Sequence, residues 1–332
     1  MQDDPKSPGL ENAALPTPRW TPGKVALQVV GLLIGAALFT WAIRSVFKAE
    51  NQPAIERLRH AAPLDVALLV ALTLISLVIN GVMFWLTLRP MRKVPLGETI
   101  AVNCIAAFLT MLPFKLGLLL RAVIHYRRHA VSAKVLAAWL AAFGGLSAAT
   151  LAVLTGASLW RKGIDGVWVA VVVGGLLVLG AAVLAVGHAA RRVPLLAKVS
   201  LGADAIARDP VVVFGHIGLR VLDIATYAAR FYVAAHIAAI GVTPAGATLM
   251  GSTYLLLNAA APAGSLGVAE MGTAGVASLA GIEKDHAALL ALVITAALSL
   301  VSGACAVGAW VWLRPDKLWG RETERRRDGE TE

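Results

Sequence analysis

Asn258-Ala-Ala-Ala-Pro-Ala-Gly-Ser-Leu-Gly-Val-Ala-Glu270 interrupts a long apolar region with a proline, two glycines and a carboxylate. The surroundings make that break informative. Of 332 residues, 58% are hydrophobic and 15% are charged, whereas soluble domains carry about 25% charged residues. The composition is that of an all-α, polytopic membrane protein. Broken backbone at membrane depth survives only when it is buried in protein or lines a water-filled cavity. An ionisable residue in such a place marks a functional site. Asn258–Glu270 therefore centres the reading on Glu270.

Working outward, a hydrocarbon core of about 30 Å needs roughly 20 apolar residues per helix. Stretches 25–47, 64–88, 133–159, 166–188, 211–239 and 286–313 qualify, giving about six full spans. Two apolar regions do not. Residues 97–126 are broken at Leu112-Pro113-Phe114-Lys115-Leu116-Gly117, and residues 246–281 at Pro262-Ala263-Gly264-Ser265. Proline and glycine punctuate helices, so each region is predicted to form two half-length helices around a loop.

The net charge of +10 first suggests nucleic acid, but the charges lie in short loops and tails, where they read as topology signals. With both broken regions returning to the side they came from, Lys and Arg divide 21 against 7, with Arg220 and Arg230 inside a span, for 30 in all. Both termini are then cytoplasmic. Region 97–126 enters from the cytoplasm and region 246–281 from outside, as two oppositely oriented re-entrant helical hairpins. Interrupted segments at corresponding places in two halves point to a transporter's midplane site. The halves echo weakly: Asn103 precedes Pro113, Gly117 and Arg121, and Asn258 precedes Pro262, Gly264, Gly267 and Glu270. This reads as an inverted repeat; the alternative is two further ordinary spans with kinks. Residues 1–24 are expected to be a disordered cytoplasmic tail, 25–313 the transmembrane domain and 314–332 a basic cytoplasmic tail.

Span 211–239 holds the second strong signal. His216, Arg220, Asp223, Tyr227 and Arg230 follow at spacings of four, three, four and three, which puts them on one helical face,. A charged residue at the bilayer centre costs about 2.5–3.5 kcal/mol on insertion scales, so this face must look into the bundle or into water. It serves either a ligand or a structural ion pair of Arg220 with Asp223. Arginine suits bidentate recognition of phosphate or carboxylate. Glu270 follows Ser265 in the first turns of a restarted helix, where it pairs with Arg121 or Arg230, binds a cation, carries a proton, or complements the helix N-terminus. Backbone N–H groups at Gly264–Gly267 would suit an anionic headgroup. Asn103 and Asn258 are expected to bond backbone freed at each break, with ligand contact as the lesser role.

Several chemistries are missing from the sequence. It carries no nucleotide-binding fingerprint, so no cofactor is expected. Cys104 and Cys305 lack metal-ligand spacing,. His125 and His129, beside Arg127 and Arg128, read as cytoplasmic loop residues. Gly31-Leu-Leu-Ile-Gly35 fits the small-xxx-small packing motif,, which serves either a homodimer or contacts within one chain.

Gly264-Ser-Leu-Gly267-Val-Ala-Glu270 resembles the Pro-Gly-Gly-x-Gly-x-x-Glu signature of flippase-like membrane proteins related to the transmembrane half of lysyl-phosphatidylglycerol synthase, the multiple peptide resistance factor. Asn103, Leu112-Pro113, Leu116-Gly117 and Arg121 resemble that family's Asn, Pro, Gly-Glu and Arg region. Ala263, Ser265 and Leu118 depart from the pattern. The resemblance covers about 25–313. It implies a flippase-like fold with Arg121 and Glu270 facing a cavity, and no aminoacyltransferase domain to make the lipid. The expected function is movement of a lipid with an anionic or zwitterionic headgroup, a phospholipid, hopanoid or polyprenyl-linked glycolipid, across the cytoplasmic membrane. The alternative is an intramembrane enzyme or an accessory subunit acting on a lipid-linked substrate.

Overall fold

The computed structural model describes residues 22–110, 116–193, 200–260 and 266–314. The tails beyond them, both break centres and Gly264 lie outside the described residues. Among the described residues twelve α-helices follow in order: α1 Pro22–Val46, α2 Gln52–Arg59, α3 Pro63–Leu88, α4 Leu96–Thr110, α5 Leu116–His129, α6 Ala133–Trp160, α7 Gly166–Arg192, α8 Ala203–Arg208, α9 Pro210–Ala238, α10 Pro244–Ala260, α11 Val268–Leu279 and α12 Lys284–Leu313. No strand occurs among the described residues.

Five helices, α3, α6, α7, α9 and α12, are long and apolar enough to cross a membrane. The sixth expected span coincides with α1, whose described apolar stretch is the shorter Leu33–Arg44. The starts of these helices are written locally. Asp209 accepts from the N–H groups of Val211 and Val212 at 2.9 and 3.3 Å, with Pro210 in the first turn of α9,. Asp165 caps α7 through the Trp168 N–H at 2.8 Å. The bond from Arg161, with that cap, holds the Asp165 carboxyl below the usual carboxylate range,.

Burial sorts the helices. Half of the apolar window of α9 is buried, against 11% for α7. Helix α9 is therefore the inner post, touching α3, α6, α10 and α12. Helix α7 turns Val169, Val171, Val173, Leu177 and Val178 outward, as an apolar solvent permits. Around α9, Phe231, Met250, Tyr254 and Leu290 pack in one cluster, and Phe84, Leu88 and Trp139 in another.

Each interrupted region gives a pair of packed helices, α4 with α5 and α10 with α11, and the limbs of the first pair are short. At 1.5 Å per residue, the 15 residues of α4 and 14 of α5 reach about 22 and 21 Å. Hairpin α4–α5 opens and closes at one end of the bundle. There Arg128, near the end of α5, grips Glu98, in the first turn of α4, with bonds of 2.8 and 3.1 Å, and donates to the Leu313 carbonyl at the end of α12 at 2.9 Å. Hairpin α10–α11 opens and closes at the other end. Gly246 near its start lies against Ile282 just past its finish, beside Lys162 beyond α6.

Glycine permits the tight crossings. A Cβ at Gly117 would stand 2.0 Å from the Ala106 carbonyl, so α4 and α5 touch backbone to backbone. At Gly267, with φ +81°, a Cβ would stand 2.2 Å from the Gly35 carbonyl. Gly35 thus packs within the chain, α1 against the turn that leads into α11.

Candidate functional site

The hairpins reach one cavity of about 530 Å³. Thr110 and Leu118 near the first break line it, as do Asn258, Ala259 and Leu266 near the second. Its wall is largely apolar, with Phe84, Leu140, Phe143, Leu255 and Leu298, and carries a few polar groups, Asn80, Asn103, Arg121, Arg220, Tyr227 and Glu270 among them. Few polar groups on an apolar wall is the usual make-up of a small-molecule site.

Arg121 projects from α5. It is 6% exposed, donates to Asn103 Oδ1 at 2.8 Å, and lies 3.3 Å over the Phe84 ring. Asn103 is held in turn by its own bond to the Leu77 carbonyl of α3, 2.8 Å. It therefore bridges α3 and α5 rather than bonding backbone freed at its own break. Arg121 Nε has no hydrogen-bond partner, and no carboxylate lies within ion-pair distance among the described residues. Two contacts, one of them a cation–π contact, leave donors of this buried guanidinium open.

The stripe on α9 divides into two parts. Asp223, wholly buried, accepts from Ser76 at 2.6 Å, Asn80 at 2.9 Å and Arg220 at 2.8 Å. Arg220 also donates to Ser147 of α6 at 2.8 Å, and Ser147 meets His216 at 3.0 Å. This network ties α3, α6 and α9 together. Removing one partner of such a buried pair costs about 3–5 kcal/mol. Arg220 still lines the cavity, while Asp223 stands behind it. Arg230, further along, is fully buried. It lies 3.7 Å over the Tyr227 ring and donates to Thr73 at 3.3 Å, away from the cavity lining.

Glu270 is the third residue of α11 and 1% exposed. Its Oε2 accepts from the Gly267 N–H at 2.6 Å, the reach-back bond of a helix start,. Its Oε1 accepts from Thr295 of α12 at 2.5 Å. Thr295 has one proton to give, so the 2.7 Å contact with Tyr254 is donated by the tyrosine. A row Tyr254–Thr295–Glu270 follows. Asn258 donates to the Tyr254 carbonyl one turn back at 2.9 Å.

Of the residues singled out in the sequence, Asn103, Arg121, Arg220, Tyr227, Asn258 and Glu270 share the cavity wall. Asp223 and Arg230 lie behind it, Gly267 holds Glu270 through its N–H, and Gly264 is outside the described residues. Reading the residues missed Thr295 and Phe84, a lone hydroxyl and a lone ring in apolar spans that carry no motif. Ser76 was findable: Thr73, Ser76 and Asn80 follow at helical spacing in span 64–88 and face α9. His125 and His129 are corrected. They sit on α5, His125 with no exposed surface. No group of three or more metal-binding side chains occurs among the described residues.

Comparison with known proteins agrees with this architecture. The family described as lysylphosphatidylglycerol synthase TM region matches residues 28–305. No curated protein and no solved structure matches the chain. The chain belongs to the lysylphosphatidylglycerol synthase TM region family.

Proposed function

We propose that this member of the lysylphosphatidylglycerol synthase TM family moves the headgroup of a membrane lipid between leaflets through the cavity of the two hairpins. Family membership supports a membrane lipid-related role. The observation that carries the finer reading is the convergence of the helix ends beside both breaks on one mostly apolar cavity with charged side chains in its wall. In this reading the hairpins are re-entrant and related as an inverted repeat, and both chain termini face the cytoplasm, the side favoured by 21 of the 30 basic residues,. The headgroup is anionic or zwitterionic: its phosphate meets Arg121 and Arg220, and a cationic group, where present, meets Glu270. The acyl chains remain in lipid beside the apolar wall.

An enzymatic role would need a free nucleophile and an acid–base group. Both carboxylates near the cavity are already occupied, Asp223 by three donors and Glu270 by two. That favours translocation over chemistry on the lipid. The test is headgroup flipping by purified protein in liposomes carrying fluorescent phospholipids. Glu270→Gln is expected to abolish flipping while leaving the thermal unfolding profile in place. Unchanged flipping would remove Glu270 from the passage.

A further inference from the structure

The outer end of hairpin α4–α5 holds a titratable cluster that headgroup binding does not use. Arg121, His125 and His129 follow at four-residue spacing on one face of α5,. Arg121 lines the cavity. His125 has no exposed surface and meets the Trp139 ring edge-on at 5.2 Å. Its Nδ1 is 3.1 Å from His129 Nδ1. His129 Nε2 is 2.9 Å from Glu98 Oε2, and the Glu98 side chain is 21% exposed. A hydrogen-bonded row thus runs from the protein surface to one helical turn from the cavity wall.

A purely structural role explains this row poorly. Arg128 already fastens Glu98 and the Leu313 carbonyl. His125 Nε2 is buried with no partner, and an unsatisfied buried polar atom costs about 1–3 kcal/mol. An apolar ring against Trp139 would avoid that cost. A neutral imidazole can take a proton at one ring nitrogen and release one from the other.

We propose that Glu98, His129 and His125 form a proton path between the outer end of this hairpin and the cavity. In one arrangement His129 Nε2–H donates to ionised Glu98, His125 Nδ1–H donates to His129 Nδ1, and His125 Nε2 holds a lone pair. A protonated cavity water gives its proton to Nε2. The Nδ1 proton of His125 passes to His129 Nδ1, the Nε2 proton of His129 passes to Glu98, and Glu98 releases it to bulk water. Each donor bond breaks as the next forms, and both rings finish neutral. Running the sequence in reverse returns the proton and gives no net transfer, so each further proton in one direction requires both rings first to reorient and present the other nitrogen. The cations facing the row are Arg92 and Arg128 near His129 and Arg121 near His125. From α6 it meets the uncharged Trp139, and α12 contributes only the Leu313 carbonyl, on Arg128. The cavity-side transfer requires water to pass the Arg121 guanidinium over Phe84. Flux across the membrane also requires the cavity to open to the opposite face; it does not require lipid movement, which rests on the headgroup reading.

The full-length protein in sealed liposomes, with a trapped pH dye and a potassium–valinomycin clamp, is given an external acid step. Wild type is expected to acidify the interior faster than protein-free liposomes. His129→Gln, which keeps a hydrogen bond to Glu98, and His125→Phe are expected to slow that rate about tenfold or more, with unfolding temperatures in detergent close to wild type. If His125→Phe does not fold, His129→Gln decides alone. Wild-type flux equal to empty liposomes, or unchanged flux in the folded variants, overturns the path. Proton flux without lipid movement leaves the path standing and sinks the headgroup reading instead.

Discussion

Hairpin α4–α5 carries Arg121 to the cavity and hairpin α10–α11 carries Glu270. The two charges are opposite, and their surroundings differ more than their signs. Glu270 is at rest: each oxygen accepts a short bond, from the Gly267 N–H and from Thr295. Arg121 is not. It has one bond to Asn103, a stack on Phe84, and an Nε without a partner. A buried charge with open donors is costly until an anion arrives. The cavity's unmet demand is therefore for negative charge on the α4–α5 side, and Glu270 becomes available only when its own bonds are broken.

The largest expected effects come from the glycines that shape the hairpins. Gly267→Ala meets two penalties, a sparsely populated positive-φ backbone worth about 1–3 kcal/mol and a clash with the Gly35 carbonyl worth about 1–3 kcal/mol. Gly117→Ala meets only the clash, with Ala106. Thermal unfolding in detergent is expected to rank Gly267→Ala below Gly117→Ala, and both below wild type. The reverse order would mean that the turn into α11 relaxes at little cost, and that the two hairpins differ in rigidity the other way round.

This contrast also marks how far the residues alone could be read. The breaks, the half-length helices and the buried face of α9 follow from proline, glycine and the spacing of His216 to Arg230. The reasons for Gly117 and Gly267 do not, because the backbones they touch, Ala106 and Gly35, are named only by packing. The split of the α9 stripe was equally hidden. Four-three spacing groups Arg220, Asp223 and Arg230 together, but the partners that separate them, Asn80, Ser147 and Thr73, come from other helices. Thr295 had no signal at all: one hydroxyl in an apolar helix usually bonds its own backbone.

The charges come next in size. Arg121→Gln keeps a polar group near Asn103 and removes the cation. Affinity for an anionic short-chain phospholipid without a cationic group, measured by calorimetry in detergent, is expected to fall about tenfold, or about 1.4 kcal/mol. Glu270→Gln is expected to leave that affinity within about threefold, because its carboxylate is engaged within the protein, while flipping is lost. Equal loss of affinity in both variants would erase the distinction between a resting acid and an open cation. Thr295→Val sharpens the same point. It removes the donor to Oε1 and the acceptor for Tyr254, and is expected to cost about 1–3 kcal/mol of stability.

The smallest effects separate the two asparagines, which look equivalent in the sequence because each precedes a break. Asn103 is 3% exposed and joins three helices: α4 carries it, it donates to Leu77 of α3, and it accepts from Arg121 of α5. Asn258 is half-buried and, among the described residues, bonds the Tyr254 carbonyl of its own helix. Asn103→Ala leaves a second guanidinium donor without a partner and removes the tie to the Leu77 carbonyl, so it is expected to cost about 1–3 kcal/mol and to weaken phospholipid binding through Arg121. Asn258→Ala is expected to stay within about 0.5 kcal/mol of wild type, as changes outside buried networks do. Unfolding curves of the two variants, read with their phospholipid affinities, compare them directly. Should Asn258→Ala lose affinity at unchanged stability, Asn258 touches the ligand, and the second hairpin contributes more than Glu270 to the site.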